Sequence, residues 1–186
     1  MSKHTEHSSY REKLVEHLFV GELLKESWRL DRYDLEVAKP EVDNAGYDLV
    51  LEAHGVIRHV QLKTSFIGSS TTKQNVHVRL ANKPSGCVVW IYFDERTLAL
   101  GPFLYFGGEP GKPLPSLETA KVAKQTKPNR EGQKSERPNI REIRRPEFSS
   151  FSTLNGIYVA LFGKAPTVQK EMTTGRLLTP AFVESR

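Results

Sequence analysis

The hydrophobic positions near the start of the chain repeat at helical spacing. No proline occurs between Tyr10 and Trp28, and Ser9 followed by Glu12 fits a capping box that would begin a helix. The apolar positions cover more than one face of this helix: Leu14, Val15, Leu18, Phe19, Val20, Leu23, Leu24 and Trp28. A helix that is apolar on several sides is covered by neighbouring elements. We therefore predict a largely buried N-terminal helix.

After Asp34 the pattern changes from helical to alternating, which is typical of β-strands. The predicted strands are 35–38, 47–53, 56–64, 74–80, 86–93 and 98–106. Turn signals separate them, and Asp94 to Thr97 predicts a hairpin turn after the most apolar strand. A helix followed by several strands predicts a mixed α and β fold.

The C-terminal part contains a basic segment and a second helix. Residues 107–147 are rich in glycine, proline and charge, which predicts irregular structure with a short helix near 117–123. A second helix is expected to begin near Pro146. Its apolar positions recur at three- and four-residue spacing: Phe148, Phe151, Leu154, Ile157, Tyr158, Leu161 and Phe162. Residues 1–164 then form a single domain, with 107–147 inserted before the last helix and 165–186 as a flexible tail.

The composition excludes several classes of protein. The 186 residues contain one cysteine, Cys87, so neither an internal disulfide nor a zinc site built on cysteines is expected. No apolar stretch approaches the roughly 18 residues of a membrane-spanning helix, and the first residues lack the apolar centre of a signal peptide. We therefore expect a cytoplasmic protein without a membrane partner.

The charge is concentrated in one segment. The whole chain carries +5, while the residues from Lys121 to Arg145 contain nine basic and three acidic side chains, a balance of +6 that leaves −1 for the remainder. The nine are Lys121, Lys124, Lys127, Arg130, Lys134, Arg137, Arg141, Arg144 and Arg145. A basic strip on a near-neutral body favours a polyanionic partner such as nucleic acid. The alternative is a solvated loop whose charges only maintain solubility.

The stretch from Gly46 to Lys63 predicts a β-hairpin with one polar face. His54-Gly55 suits a two-residue loop, and this loop places Asp48 opposite Gln61. One face is then apolar, with Leu49, Leu51, Val60 and Leu62. The other face is polar and carries Asp48, Glu52, His59, Gln61 and Lys63. Directly opposed side chains have Cβ atoms roughly 4.5–5.5 Å apart, so a carboxylate, an amide and an ammonium converge.

This trio suits the hydrolysis of a phosphodiester. The oxygens of Asp48 and Gln61 are hard ligands for Mg²⁺ or Mn²⁺, and the main-chain carbonyl of Leu62 could add another. Lys63 would lie beside a metal-bound water, where it orients the water or stabilises developing charge. The alternative is the polar face of an ordinary half-exposed hairpin.

The order of these residues resembles the PD-(D/E)XK nuclease superfamily. The similarity covers about residues 9–94 and rests on a helix bearing glutamate, Gly-Tyr-Asp48 at the start of a strand, and Gln61-Leu62-Lys63 on the next. Within the superfamily the chain is most similar to a small bacterial branch with a Gly-x-Asp and Gln-x-Lys pattern. The resemblance implies a restriction-endonuclease-like core, α/β/α or α+β, in which a mixed β-sheet is flanked by an N-terminal and a C-terminal helix.

The resemblance also implies roles for individual residues. Asp48 matches the central metal-binding aspartate and Lys63 the lysine, while Gln61 stands where glutamate or aspartate is usual, so one negative charge is lost. The helix carboxylate best matches Glu16, although Glu12 and Glu22 compete for this role. Asp43 fits a turn better than a second acidic ligand.

The expected activity is Mg²⁺- or Mn²⁺-dependent cleavage of DNA, with the basic strip tracking the phosphate backbone. Related nucleases often dimerise to cut two strands, so a homodimer is a further expectation. Two alternatives stay open. One is a catalytically inactive nucleic-acid-binding module that keeps the nuclease fold, which the loss of charge at Gln61 favours. The other is a protein-interaction domain.

Overall fold

The computed structural model describes residues 7–42, 44–125, 127, 130 and 132–164. Two helices are present in this part, α1 (Ser8–Arg29) and α2 (Leu154–Phe162). The strands are β1 (Glu36–Ala38), β2 (Leu49–Ala53), β3 (Val56–Phe66), β4 (Lys73–His77), β5 (Gly86–Phe93), β6 (Leu100–Gly107), β7 (Lys121–Lys124), β8 (Glu136–Arg144) and β9 (Ser149–Phe151). Short 3₁₀ turns cover Val78–Asn82 and Arg145–Glu147. The predicted tail, 165–186, lies outside the described residues.

Six strands form a mixed sheet in the order β1-β2-β3-β5-β6-β9. Only β3 and β5 run parallel; the other neighbours are antiparallel. The β2–β3 hairpin has the predicted two-residue loop, with Ala53 paired to Val56 and Leu49 paired to Val60. His54 and Gly55 both have positive φ, 55° and 73°, as a tight hairpin loop of this kind requires.

Both helices pack on one face of this sheet. Along β5, Val89 and Ile91 face the helices and join a core that contains Phe19 of α1 and Tyr158 of α2. The alternate residues of β5, among them Trp90, face the opposite side of the sheet and form a second core. This alternation follows from the two-residue period of a strand. The strand is apolar at every position because both of its faces are covered.

The second face is covered by a small antiparallel sheet in the order β4-β8-β7. Val76 of β4 and Ile143 of β8 are buried in the second core with Trp90. The mixed α and β class is therefore confirmed, with a mixed sheet and two helices. The layers are helices, large sheet and small sheet, so of the two expected arrangements, α/β/α and α+β, the structure excludes the α/β/α layering.

The prediction of irregular structure over 107–147 was wrong for β7 and β8, and the short helix predicted near 117–123 is absent. The segment is rich in charge because β7 and β8 expose much of their surface to solvent. Strands that bury few side chains lack the apolar alternation by which a strand is recognised in sequence.

The boundaries of both helices also differ from the prediction. The cap residue of α1 is His7, which makes no side-chain capping hydrogen bond, so the capping box of Ser9 and Glu12 is wrong. Helix α2 begins at Leu154 rather than near Pro146, because the hydroxyl of Thr153 accepts a hydrogen bond from the N–H of Gly156.

Arg58 joins β3 to the C-terminal end of α2. Its side chain is fully buried. The guanidinium donates five hydrogen bonds, four to main-chain carbonyls and one to a hydroxyl. The acceptors are the carbonyls of Leu161 (2.8 Å), Lys112 (3.2 Å), Gly108 (3.1 Å) and Ala160 (3.3 Å), and Oγ of Ser85 (3.1 Å). Two of these carbonyls belong to the last turn of α2, where a positive charge is favourable.

In the described part of the chain, no helix has the length and hydropathy of a membrane span.

Candidate functional site

A cavity of about 800 Å³ opens where β3 extends beyond β2. The paired residues of the two strands end at Leu49 and Val60, whereas β3 continues to Phe66. The cavity is bordered by the first half of α1, the loop after β1, the two hairpin strands and β4. All four site residues expected from the sequence line it: Glu16, Asp48, Gln61 and Lys63.

Asp48 lies at the end of the β2–β3 ladder. Its N–H donates to the carbonyl of Val60 at 2.9 Å, and its Oδ2 accepts the N–H of Leu62 at 2.6 Å. The register would place Asp48 opposite Gln61, but the aspartate instead bonds to the residues on either side of that glutamine. The carboxylate thus satisfies a main-chain donor of β3 where β2 no longer pairs with it. This contact fixes the carboxylate at the edge of the cavity.

Gln61 contributes a buried oxygen to the same cavity. The residue is only 9% exposed, and its Oε1 has no hydrogen-bond partner among the described residues. Buried polar atoms are nearly always satisfied, by protein groups, by water or by a ligand. The carbonyl oxygen of this amide is therefore a vacant acceptor or ligand position beside Asp48.

Glu16 is held by two lysines. Its carboxylate accepts a hydrogen bond from Lys13 Nζ at 2.9 Å and another from Lys39 Nζ at 2.5 Å. Burial tends to raise the pKa of this carboxyl. The hydrogen bonds and charges of Lys39 and Lys13 outweigh the burial, so the pKa lies below its ordinary value. The carboxylate is ionised and already paired with two cations.

Helix α1 carries four glutamates, and the three that were considered for the site are distinguished by their surroundings. The side chain of Glu16 is 5% exposed, whereas that of Glu22 is 40% exposed and pairs with Lys25 at 2.7 Å. Glu12 borders the cavity as well, but it lies on the surface. Of these three carboxylates, only Glu16 is buried at the cavity. Asp43 lies outside the described residues.

The cavity carries more lysines than the sequence indicated. Four lysines line it: Lys13, Lys39, Lys63 and Lys73. Lys73 also pairs with Glu142 of β8 at 2.6 Å. Of these, Lys13 could have been found from its helical spacing to Glu16. Lys39 and Lys73 reach the cavity only through the tertiary fold.

A close contact sets the position of the segment that leads to Asp48. Gly46 has a φ of +76°, and a Cβ at this residue would lie 2.4 Å from Cβ of His77. The neighbouring carbonyl of Asn44 accepts a hydrogen bond from Arg79 at 2.9 Å. The loop before β2 is therefore packed against the small sheet and the 3₁₀ turn that follows it. A side chain at Gly46 would push the two apart.

Tyr47 borders the cavity next to Asp48 and is fixed by two neighbours. The Lys83 ammonium lies 4.9 Å from the centre of its ring, and the His59 ring meets it edge-on at 5.0 Å. Burial and the nearby Lys83 charge lower the pKa of His59. His59 therefore packs as a neutral ring against Tyr47.

The basic strip is part of the small sheet. Lys121 and Lys124 lie on β7; Arg137, Arg141 and Arg144 lie on β8; Lys127, Arg130 and Lys134 lie in the connection between these strands; and Arg145 follows β8. Seven of the nine side chains are exposed, and Arg137 and Arg141 are half-buried. Because β4 pairs with β8 and also lines the cavity, the strip and the cavity belong to one continuous structure.

Within the described residues, no three side chains of histidine, cysteine, aspartate or glutamate converge as a metal site would require. The donors expected for the site are instead the carboxylates of Glu16 and Asp48 and the amide oxygen of Gln61, while the carboxylate of Glu12 borders the cavity at the surface. No family model, curated protein or solved structure matches this chain. The chemistry of the cavity therefore has to be inferred from its own residues.

Proposed function

We propose that this protein is a metal-dependent nuclease that hydrolyses phosphodiester bonds of DNA in the cavity between α1, β3 and β4. The observation that carries the proposal is the unpartnered Oε1 of Gln61 in the same cavity as Asp48 and Lys63. An acid, a vacant amide oxygen and an ammonium in one concave site are the groups that phosphodiester hydrolysis uses.

The donor set fits a hard divalent cation. Asp48, Gln61 and Glu16 would hold Mg²⁺ or Mn²⁺ through oxygen atoms, which are the ligands that these ions prefer. When bound, such an ion polarises a phosphoryl oxygen and lowers the pKa of a bound water. The amide of Gln61 brings no charge, and the Glu16 carboxylate is shared with Lys13 and Lys39. We therefore expect weak metal affinity and a requirement for millimolar metal.

The lysines of the site serve the anionic substrate. Lys63 would stabilise charge that develops on the oxygens around phosphorus. Lys13 and Lys39 hold the Glu16 carboxylate ionised at the edge of the cavity. The basic side chains of β7 and β8 contact the phosphate backbone further along, which adds affinity without sequence specificity.

A cleavage assay tests the proposal. Purified protein is incubated with Mg²⁺ or Mn²⁺ and with labelled single-stranded, duplex and branched DNA. We expect metal-dependent cleavage by the wild type and loss of at least about a hundredfold in rate for Lys63→Ala and Asp48→Asn. Lys25→Ala is the matched control, because this lysine lies on the exposed side of α1 and pairs only with Glu22 among the described residues. Equal cleavage by wild type, Lys63→Ala and Asp48→Asn would refute the proposal.

A second candidate function is a nucleic-acid-binding module without catalytic turnover. The observation in its favour is that both oxygens of Glu16 are already bound by lysines, next to an uncharged Gln61. This reading predicts salt-sensitive DNA binding, no cleavage with either metal, and little change in affinity for Asp48→Asn. Detectable metal-dependent cleavage that Asp48→Asn abolishes would exclude it.

A further inference from the structure

We infer that the cavity takes a single strand of nucleic acid rather than an intact duplex, and that Gln74 and Asn75 of β4 contact its bases. This inference rests on the proposed function, because it names the form of the substrate that reaches the same site. It is carried by the depth of the reactive groups, by the walls around them and by the polar side chains of one wall.

Two of the four expected site residues lie below the surface, and the other two, Asp48 and Lys63, are half-buried. Gln61 is 9% exposed and Glu16 is 4% exposed, although both line the cavity. The phosphates of a duplex lie on the outside of a stiff cylinder, with a persistence length of about 50 nm. Bending such a backbone locally into a recess costs free energy, whereas a flexible single strand enters without this cost.

Two walls enclose the reactive groups. One wall is the N-terminal half of α1, with Ser9 and Lys13, and the other is β4, with Lys73. The volume between them, about 800 Å³, lies within the roughly 300–1,000 Å³ typical of small-molecule pockets. A space of this size holds a few nucleotides of one strand and excludes a turn of duplex.

The β4 wall presents two carboxamides. Both Gln74 and Asn75 of β4, an edge strand of the small sheet, border the cavity, and as consecutive strand residues they direct their side chains to opposite faces of the strand. Carboxamides form paired hydrogen bonds with the edges of bases, and unpaired bases offer edges that a duplex hides. The cavity carries four lysines against three carboxylates, and lysines along a groove are typical of proteins that bind single strands. The lysines then bind the backbone while the carboxamides read the bases.

The test measures binding in the absence of divalent metal, so that it does not depend on cleavage. Fluorescence anisotropy is recorded in EDTA with a labelled single-stranded DNA, with the same strand annealed to its complement as a blunt duplex, and with the single-stranded RNA of the same sequence. We expect the single-stranded DNA to bind at least about tenfold more tightly than the blunt duplex. The double variant Gln74→Ala/Asn75→Ala should lose about tenfold in single-strand affinity and keep its weak duplex affinity.

The matched control is Asn139→Ala, which removes an exposed carboxamide of β8 that does not border the cavity. Its single-strand affinity should equal that of the wild type. Duplex binding as tight as single-strand binding would overturn the inference, as would an unchanged affinity of the double variant. If the protein binds duplex more tightly and cleaves it, only the inference is overturned. If it binds single strands more tightly but cleaves no DNA, only the proposed function is overturned.

Discussion

The carboxylate of Asp48 accepts the main-chain N–H of Leu62 at 2.6 Å, just beyond the last paired residues of the β2–β3 hairpin. The same aspartate donates its own N–H to Val60, so it holds β3 on both sides of Gln61. One side chain thus completes the end of a ladder and borders the candidate site. Different substitutions of Asp48 can therefore separate the effect of its hydrogen bond to Leu62 from the effect of its charge.

Asp48→Asn and Asp48→Ala are expected to differ in stability but not in activity. Asparagine keeps an oxygen that can accept the Leu62 N–H, whereas alanine leaves this donor unsatisfied at a cost of about 1–3 kcal/mol. Both variants lose the charge that the proposed metal site needs. Urea unfolding should show the larger loss for alanine, and a nuclease assay should show no activity for either. Equal stability of the two variants would contradict the structural role of the contact.

Gly46→Ala is expected to destabilise the fold more than Gly55→Ala. Both glycines have similar positive φ values, +76° and +73°, so both substitutions carry the same conformational penalty of about 1–2 kcal/mol. Only at Gly46 would the new Cβ meet a neighbour, Cβ of His77 at 2.4 Å. We expect an additional loss of about 1 kcal/mol or more at Gly46, measured by chemical denaturation. Equal losses at the two sites would show that the loop and β4 can separate freely.

Arg58→Met is expected to cost at least about 3 kcal/mol in the free energy of unfolding. The change removes five hydrogen bonds, including those to the carbonyls of Ala160 and Leu161 at the end of α2. Methionine is similar in length but has no donor, so buried acceptors are left unsatisfied. Arg96→Met, on the exposed β5–β6 turn, is the control and should change stability by less than about 0.5 kcal/mol. A comparably small effect at Arg58 would mean that water can replace the guanidinium.

Glu16 is expected to make the protein less stable in acid. Although burial works in the opposite direction, Lys39 and Lys13 hold its pKa below the ordinary value of 4.5. The folded state therefore releases this proton more readily than the unfolded state, and stability falls as the pH drops from about 4.5 through the lowered pKa. The free energy of unfolding, measured with urea from pH 7 to pH 3, should fall less steeply in acid for Glu16→Gln than for the wild type.

Glu22→Gln is the matched control for Glu16→Gln, because it removes one carboxylate from the same helix at a side chain that is 40% exposed. If the wild type and Glu16→Gln lose the same free energy of unfolding between pH 7 and pH 3, the role given to the two lysines is contradicted.

Lys121→Gln and Arg144→Gln are expected to weaken DNA binding and its salt dependence. Both side chains are exposed on the small sheet, so neither change should affect folding. Each phosphate contact that is lost should lower the slope of log affinity against log salt by about 1. Lys25→Gln on α1 is the control. Unchanged slopes for Lys121→Gln and Arg144→Gln would indicate that the strip only maintains solubility.

The hairpin was predictable because its determinants are local. The two-residue loop His54-Gly55 fixes the pairing of Leu49 with Val60, and the alternation of apolar residues fixes which face is buried. Of the small sheet, only β4 was predicted, as the strand 74–80, and its partner was missed because the pairing is distant in sequence: Lys73 of β4 lies opposite Arg144 of β8. The start of α2 was misplaced because Phe148 continues the helical spacing, yet it belongs to the core on the other face of the large sheet.

The amino-acid order alone determined which residues of the hairpin share a face, since a pleated strand repeats every two residues whatever surrounds it. Only the tertiary structure decided that Glu16, rather than Glu22, is buried at the cavity and that Lys39 reaches it across 23 positions of sequence. It also decided that β4 forms the opposite wall. These contacts depend on how whole layers pack, and no short-range period in the chain encodes that packing.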